Sequence, residues 1–261
     1  MRVLITGAGR AIGAATADEL TSRGHEVVAT ARDVDLLAGL DVARRLALDV
    51  TDPSSVAAAL AQAGELDAIV NNAAVGASGV VEDFPIERIR AAFETNVIGA
   101  LQVIQPLLAG WRERGHGVIV NISSVQGRIG TPTQGVYAAT KNALEALSES
   151  MHFELGHFGI RTVLIQPGYV APGMKDAGRH LGPDVYAGLW EQWTGNDATL
   201  NAGGRPGPET VAVAVADAIE DPTTPVRVPV GADAELVLGA RSSMDDATFE
   251  KAMRDTLNLT W

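Results

Sequence analysis

RVLITGAGRAIG, residues 2–13, begins with a short apolar run from Arg2 to Thr6 and passes at once into a turn holding Gly7, Gly9 and Gly13. The amphipathic pattern Ala14 to Arg23 follows directly. An apolar run of this length, bounded by glycine, reads as a buried strand, and the pattern beyond it reads as a helix. Strand, glycine turn and helix N-terminus together make an anion site: the first amides of a helix have no partner in its ladder, and the positive end of the dipole faces the turn. The spacing carries one residue more between Gly9 and Gly13 than the G-x-G-x-x-G dinucleotide fingerprint. His25 to Thr30 (HEVVAT) then reads as a second strand, and the strand–helix–strand spacing predicts a right-handed crossover in a parallel sheet.

The alternation continues outward from there. Arg44 to Leu48, Leu66 to Val70, Val118 to Ile122, Ile160 to Ile165 and Val226 to Val230 are five further strands. Between them, Thr51-Asp52-Pro53 is a capped helix start, and helices are expected over about 85–95, 97–114, 137–158 and 209–220, with a terminal one over 245–256. The predicted fold class is α/β: a doubly wound, mainly parallel seven-stranded sheet flanked by helices, in a single domain spanning 1–261. From about 172 to 208 the alternation lapses in a segment carrying Met174, Leu181, Tyr186, Leu189, Trp190 and Trp193, which predicts a substrate lid inserted after a strand's carboxyl end.

Composition removes several functions. A net charge of -12 with no basic stripe argues against nucleic acid, and no apolar run is long enough to span a membrane. The chain has no cysteine, and its five histidines are scattered, so no metal site is expected. The opening residues lack a signal-peptide pattern, and a cytoplasmic location is expected.

The chemistry gathers near the sheet's carboxyl edge. Ser124 lies thirteen residues before Tyr137, and Lys141 four after it. On a helix begun near Val136, Tyr137 and Lys141 share a face, and a fixed ammonium is expected to draw the phenol's pKa down towards working pH. The Ser124 hydroxyl can hydrogen-bond the same substrate oxygen. At the end of the second strand, Ala31-Arg32 offers no carboxylate for a ribose hydroxyl and supplies a guanidinium suited to a 2′-phosphate, with Arg10 as a second cation. Asp49 can accept from an adenine amino group, and Asn71-Asn72-Ala73-Ala74 ends the fourth strand.

Taken in order, Thr6-Gly7 through Ala11-Ile12-Gly13, Asp49, Asn71-Asn72-Ala73, Asn96, Ser124, Tyr137-x-x-x-Lys141 and Pro167-Gly168 resemble the short-chain dehydrogenase/reductase family over roughly the first 170 residues. The resemblance implies a Rossmann-type fold and a catalytic tetrad of Asn96, Ser124, Tyr137 and Lys141. In it, Tyr137 exchanges the proton, Ser124 polarises the carbonyl, Lys141 lowers the tyrosine pKa and holds ribose hydroxyls, and Asn96 interrupts its helix and holds a water. It further implies cofactor contacts at Gly7, Ile12 and Gly13 with the diphosphate, at Asp49 and Val50 with adenine, at Asn72 on the ribose side and at Val170 with the nicotinamide amide. With Arg10 and Arg32, the pattern is similar to that of members preferring NADP(H).

Three positions depart from the family: Ala11 and Ala74 replace glycines, and Pro172 stands where a threonine commonly anchors the carboxamide. The run YAATKNALEALSESMHFEL is similar to hydroxysteroid and retinol dehydrogenases, and ketoreductases share most of its features. The expected substrate is a bulky hydrophobic ketone or secondary alcohol, and the expected assembly a homodimer or homotetramer through the helices over 97–114 and 137–158. The alternatives are a non-catalytic NADP-binding regulator or scaffold, and an enzyme using the same hydride chemistry for net isomerisation or dehydration.

Overall fold

Seven strands make one sheet in the computed structural model, which describes residues 1–171, 184–195 and 205–261. The strands are β1 (Arg2–Ile5), β2 (Glu26–Ala31), β3 (Arg44–Ala47), β4 (Ala68–Asn71), β5 (Gly117–Ile122), β6 (Ile160–Pro167) and β7 (Arg227–Val230). Their order is β3-β2-β1-β4-β5-β6-β7, and every pairing is parallel. The sheet is thus wholly parallel, and the order reverses direction between β1 and β4, where ligands bind in open sheets of this kind.

Parallel strands are covered on both faces, and side chains alternate between them. Val3, Ile5, Val118 and Val120 join a core layer with α1 (Ala11–Ser22) and a later helix, Pro208–Glu220. Leu4, Ile69 and Ile119 point the other way, into a layer closed by α2 (Pro53–Ala63), α4 (Gly99–Arg114) and α5 (Gly135–Gly156). Trp111 on α4 is buried there and donates Nε1–H to the Leu66 carbonyl at 2.7 Å, and its ring covers Gly117, where a Cβ would collide with it. α3 (Ile86–Phe93) precedes a π turn over Glu94–Ile98 that leads into α4.

The helix start expected at Asp52 is formed: the carboxylate accepts from the Ser54 amide at 2.8 Å, and Pro53 takes the first helical position. Other boundaries differ from expectation. α1 begins at Ala11 rather than Ala14, because the glycine turn tightens straight into the helix. Within the expected lid, Ala187–Gly195 is a helix, α6, while 172–183 and 196–204, with Pro172, Met174 and Leu181, lie outside the described residues. α7 (Pro208–Glu220) and the terminal α9 (Asp246–Thr256) match expectation, and a helix between them, α8 (Ala232–Ser243), was not expected.

Ala11 enters α1 with φ +45°, a left-handed backbone for a residue that carries a Cβ. The glycine-to-alanine departure is therefore costly in backbone energy and not only in bulk. Ala11→Gly is expected to raise stability by up to about 1 kcal/mol, relief of about 1–2 kcal/mol of strain being partly offset by the greater freedom of an unfolded glycine. Urea unfolding reads this as a higher midpoint at constant slope; a lower midpoint would show that the strain is not there.

Candidate active site

The carboxyl ends of β1, β4, β5 and β6 share one edge of the sheet, so the loops after them face each other. After β1 the chain turns at Gly7 with φ +66°, and a Cβ there would stand 2.9 Å from Ala73 Cα. The buried Thr6 hydroxyl accepts from the amides of Asn72 (3.0 Å) and Ala73 (3.1 Å). Asn72 answers by donating both Nδ2 hydrogens, to the carbonyls of Thr6 (3.0 Å) and Gly7 (2.9 Å). Asn72 is therefore a clamp on the glycine turn, with both amide hydrogens spent there.

The first ladder bond of α1 runs from the Ala14 amide to the Arg10 carbonyl at 3.3 Å, and no side chain caps the helix. The amides of Ala11, Ile12 and Gly13 thus precede the ladder at the sheet edge, which is what a diphosphate needs. Arg10 and Arg32 are both exposed, and among the described residues neither is held in an ion pair. Asp49 spends Oδ1 on the amide (2.9 Å) and hydroxyl (2.7 Å) of Thr51, fixing the turn into α2, while Val50 is buried against Gly99. Val170 packs on the core beside the turn, in a loop pinned where the Tyr169 amide donates to Asp233 Oδ2 at 2.7 Å.

Ser124, extended at φ -168°, caps a short 3-10 turn over Val125–Gly127 and accepts from the Gln126 amide at 3.2 Å. Its hydroxyl lies near enough to Tyr137, on the first turns of α5, to favour the phenolate. Lys141, one turn further, is buried; Nζ donates to the Ile122 carbonyl at 2.7 Å and lies 5.7 Å from the centre of the Tyr137 ring. Asn96 sits in the π turn, where Oδ1 accepts from the Val75 amide (2.8 Å) and Nδ2 donates to the Val75 carbonyl (3.0 Å) and the Thr140 hydroxyl (3.0 Å). Thr140 passes the link on to the Tyr137 carbonyl at 2.7 Å. The structure thus brings Ser124, Tyr137 and Lys141 into one cluster and ties Asn96 to it through Thr140. No Asn96 side-chain hydrogen is left over for a water.

The charge states correct one expectation. Burial pushes the Tyr137 phenol up to about 12, against the pull of the Ser124 hydroxyl, so Lys141 does not draw it towards neutrality. Burial also brings the Lys141 ammonium down to about 8, against the attraction of Glu145. The lysine's charge is directed at the Ile122 carbonyl, and desolvation of the phenolate outweighs it.

Polar side chains, of which only Asn71 was marked in the sequence, complete the surroundings. Asn71 Nδ2 donates to Asn121 Oδ1 (2.9 Å), and Asn121 Nδ2 to Ser148 Oγ (2.8 Å), a buried polar string that ties β4 and β5 to α5. Glu145, Gln166 and Arg227 form a second network beyond Lys141. The polar ends of these residues sit within otherwise apolar strands and helices, which was the one available signal.

A family model described as short chain dehydrogenase matches residues 1–180. The chain belongs to the short-chain dehydrogenase family. An uncharacterized oxidoreductase of Bacillus subtilis and the 3-ketodihydrosphingosine reductase of Bacteroides thetaiotaomicron are 38% and 36% identical over 63% and 67% of this chain, which spans 63% and 65% of their own lengths. The crystal structure of a short-chain dehydrogenase from Streptomyces avermitilis superposes with a TM-score of 0.79 at 32% identity, covering 98% of each chain. This short-chain dehydrogenase accordingly has the Rossmann-type architecture, a fold that binds nicotinamide dinucleotides. The glycine turn, with its uncapped amides and its lack of room for Cβ atoms, fits such a dinucleotide. Among the described residues there is no cluster suited to a metal ion, and no helix is long and apolar enough to cross a membrane.

Proposed function

We propose that this chain is an NADPH-dependent carbonyl reductase, reversible as a secondary alcohol dehydrogenase, acting on a bulky hydrophobic small molecule. The observation that carries this reading is the Ser124–Tyr137–Lys141 cluster on the same sheet edge as the uncapped glycine turn. A bound nicotinamide supplies the hydride. Tyr137, protonated at neutral pH, gives its proton to the carbonyl oxygen as charge gathers there, and Ser124 donates a hydrogen bond to the same atom. Lys141 places a positive charge behind the phenol and steadies the phenolate left after transfer. Asn96, through Thr140, holds the helical turn that carries Tyr137.

Arg10 and Arg32, exposed at the mouth of the turn, are free to take the 2′-phosphate of NADPH. Gly7, Ile12 and Gly13 would line the diphosphate, Asp49 and Val50 the adenine, Asn72 the ribose-side turn and Val170 the nicotinamide. We take the helix Ala187–Gly195 as part of a lid in a single domain of 1–261, a reading supported by the Tyr186 hydroxyl donating to Glu82 Oε2 at 2.5 Å and by the burial of Trp193. The apolar residues Leu189, Trp190 and Trp193 of this segment favour a large apolar substrate. The reading includes a cytoplasmic homodimer or homotetramer through α4 and α5, and the exposure of Phe153 on α5 (76%) and of Ile98 at the head of α4 (42%) favours the assembly.

The test is a parallel titration of the purified protein with NADPH and NADH, followed by nicotinamide fluorescence. Wild type is expected to prefer NADPH, and Arg32→Ala to lose about 10–100-fold in NADPH affinity with NADH binding unchanged, since a charge-assisted contact contributes about 1.5–3 kcal/mol. Equal affinities in wild type would remove the NADP assignment.

A further inference from the structure

One helical turn beyond Lys141, Glu145 is buried to 3% exposure, where a carboxylate persists only with partners. Two strands provide them. Gln166 on β6 donates Nε2–H to Oε1 at 3.0 Å, and Arg227 on β7 donates Nε–H to Oε2 at 2.8 Å while also reaching Glu149 at 3.0 Å. The shaft of Glu145 packs on Gly127, where an added Cβ would stand 2.8 Å from Glu145 Cγ and 2.6 Å from Ser123 Oγ. Gly127 ends the turn that Ser124 caps, and its carbonyl accepts from Asn142 on α5 at 3.0 Å. Glu145 thus touches or anchors the Ser124 turn, the Lys141 turn of α5, β6 and β7, yet none of the proposed chemical steps uses it.

A buried ion pair adds little to stability over well-packed apolar side chains, so stability alone gives no reason for a carboxylate here. We propose that Glu145 is a positioning residue of the active site: it holds the Ser124 and Lys141 turns in register against β6 and β7, and supplies the negative charge that keeps the buried Lys141 an ammonium, with Arg227 balancing that charge. This rests on the reading of Lys141 as a site residue. Burial drives Lys141 towards the neutral amine, and among the described residues Glu145 is the charged group that opposes it. The other titratable or charged groups around the pair are Tyr137 and Glu149 on α5, Arg227 on β7, and Arg128 after the Ser124 turn, which acts on Glu149. Gln166 and Asn96, from β6 and the π turn, carry no charge.

The chain has three lysines, Lys141, Lys175 and Lys251, so 13C-lysine NMR can follow each one through a pH titration of the protein alone, with Lys141→Arg to assign the signal. Glu145→Gln is expected to lower the Lys141 midpoint by about one pH unit, and Arg227→Met to raise it by a similar amount, because the carboxylate then loses its balancing cation. Lys251, whose side chain is 77% exposed on α9, should not move. A purely structural role shifts both variants in the same direction or neither, and either pattern would overturn the proposal. Should Glu145→Gln fail to fold, Arg227→Met, at a partly exposed position, decides alone: a rise upholds the proposal, and an unchanged or lower midpoint overturns it. No turnover enters this measurement, so failure of the reductase reading would appear separately, as inactive wild type with the opposed shifts intact.

Discussion

Tyr137→Phe is expected to lower the turnover of carbonyl reduction about 1,000-fold while leaving nucleotide affinity and folding nearly unchanged. The substitution removes one oxygen atom. The ring packs against the small cluster of Ala77, Phe84, Ala92 and Val136, and phenylalanine keeps those contacts. What disappears is the proton donor, which acts on the carbonyl oxygen when charge develops there. The loss should fall on kcat far more than on KM. Because the phenol titrates near 12, it stays protonated through neutral pH, and reduction should decline only as pH passes about 8, where Lys141 gives up its proton. The oxidative direction, which needs the phenolate, should gain as pH rises. Steady-state kinetics on a panel of hydrophobic ketones checks both statements. A variant within tenfold of wild type would take the proton-transfer role from Tyr137.

The elements carrying the site were legible because their signals are local. Apolar runs ending in glycine or asparagine marked the strand ends, and the spacing of Tyr137 and Lys141 put both on one face of α5 before any coordinates were needed. The sign of the tyrosine's shift was not legible, since spacing reports a neighbouring charge and says nothing of desolvation. The part Asn72 plays inside the turn was not legible for a related reason. An asparagine at a ligand edge suggests a ligand contact, and only the fold shows both its hydrogens spent on Thr6 and Gly7. Glu145 stood in view four residues after Lys141, but the partners that make it a buried anion come from Gln166 and Arg227, 21 and 82 positions away. α8 gave no periodic signal at all: within Ala232–Ser243 only Ala234 is buried, and Leu236 is 73% exposed.

Gly13→Ala is expected to cost about 3 kcal/mol or more of stability and to weaken nucleotide binding at least about 100-fold. The new Cβ would be driven against the Gly7 carbonyl oxygen, 2.6 Å from Asn72 Nδ2 and 2.9 Å from Ala8 Cα. Two of those neighbours are backbone and cannot rotate away. The third is the amide group that clamps the turn, so its retreat would release the carbonyls of Thr6 and Gly7 together. The same displacement moves the free amides of Ala11 and Ile12, so fold and binding are expected to fail together. Gly39→Ala is the control, because nothing lies within 4 Å of a Cβ built there; its effect should stay within about 0.5 kcal/mol. Urea unfolding and NADPH titration of the two variants separate a crowded turn from a general intolerance of alanine. If Gly13→Ala bound NADPH as wild type does, the turn could not be the diphosphate site, because a shape this tight cannot admit a methyl group and keep its amides where they are.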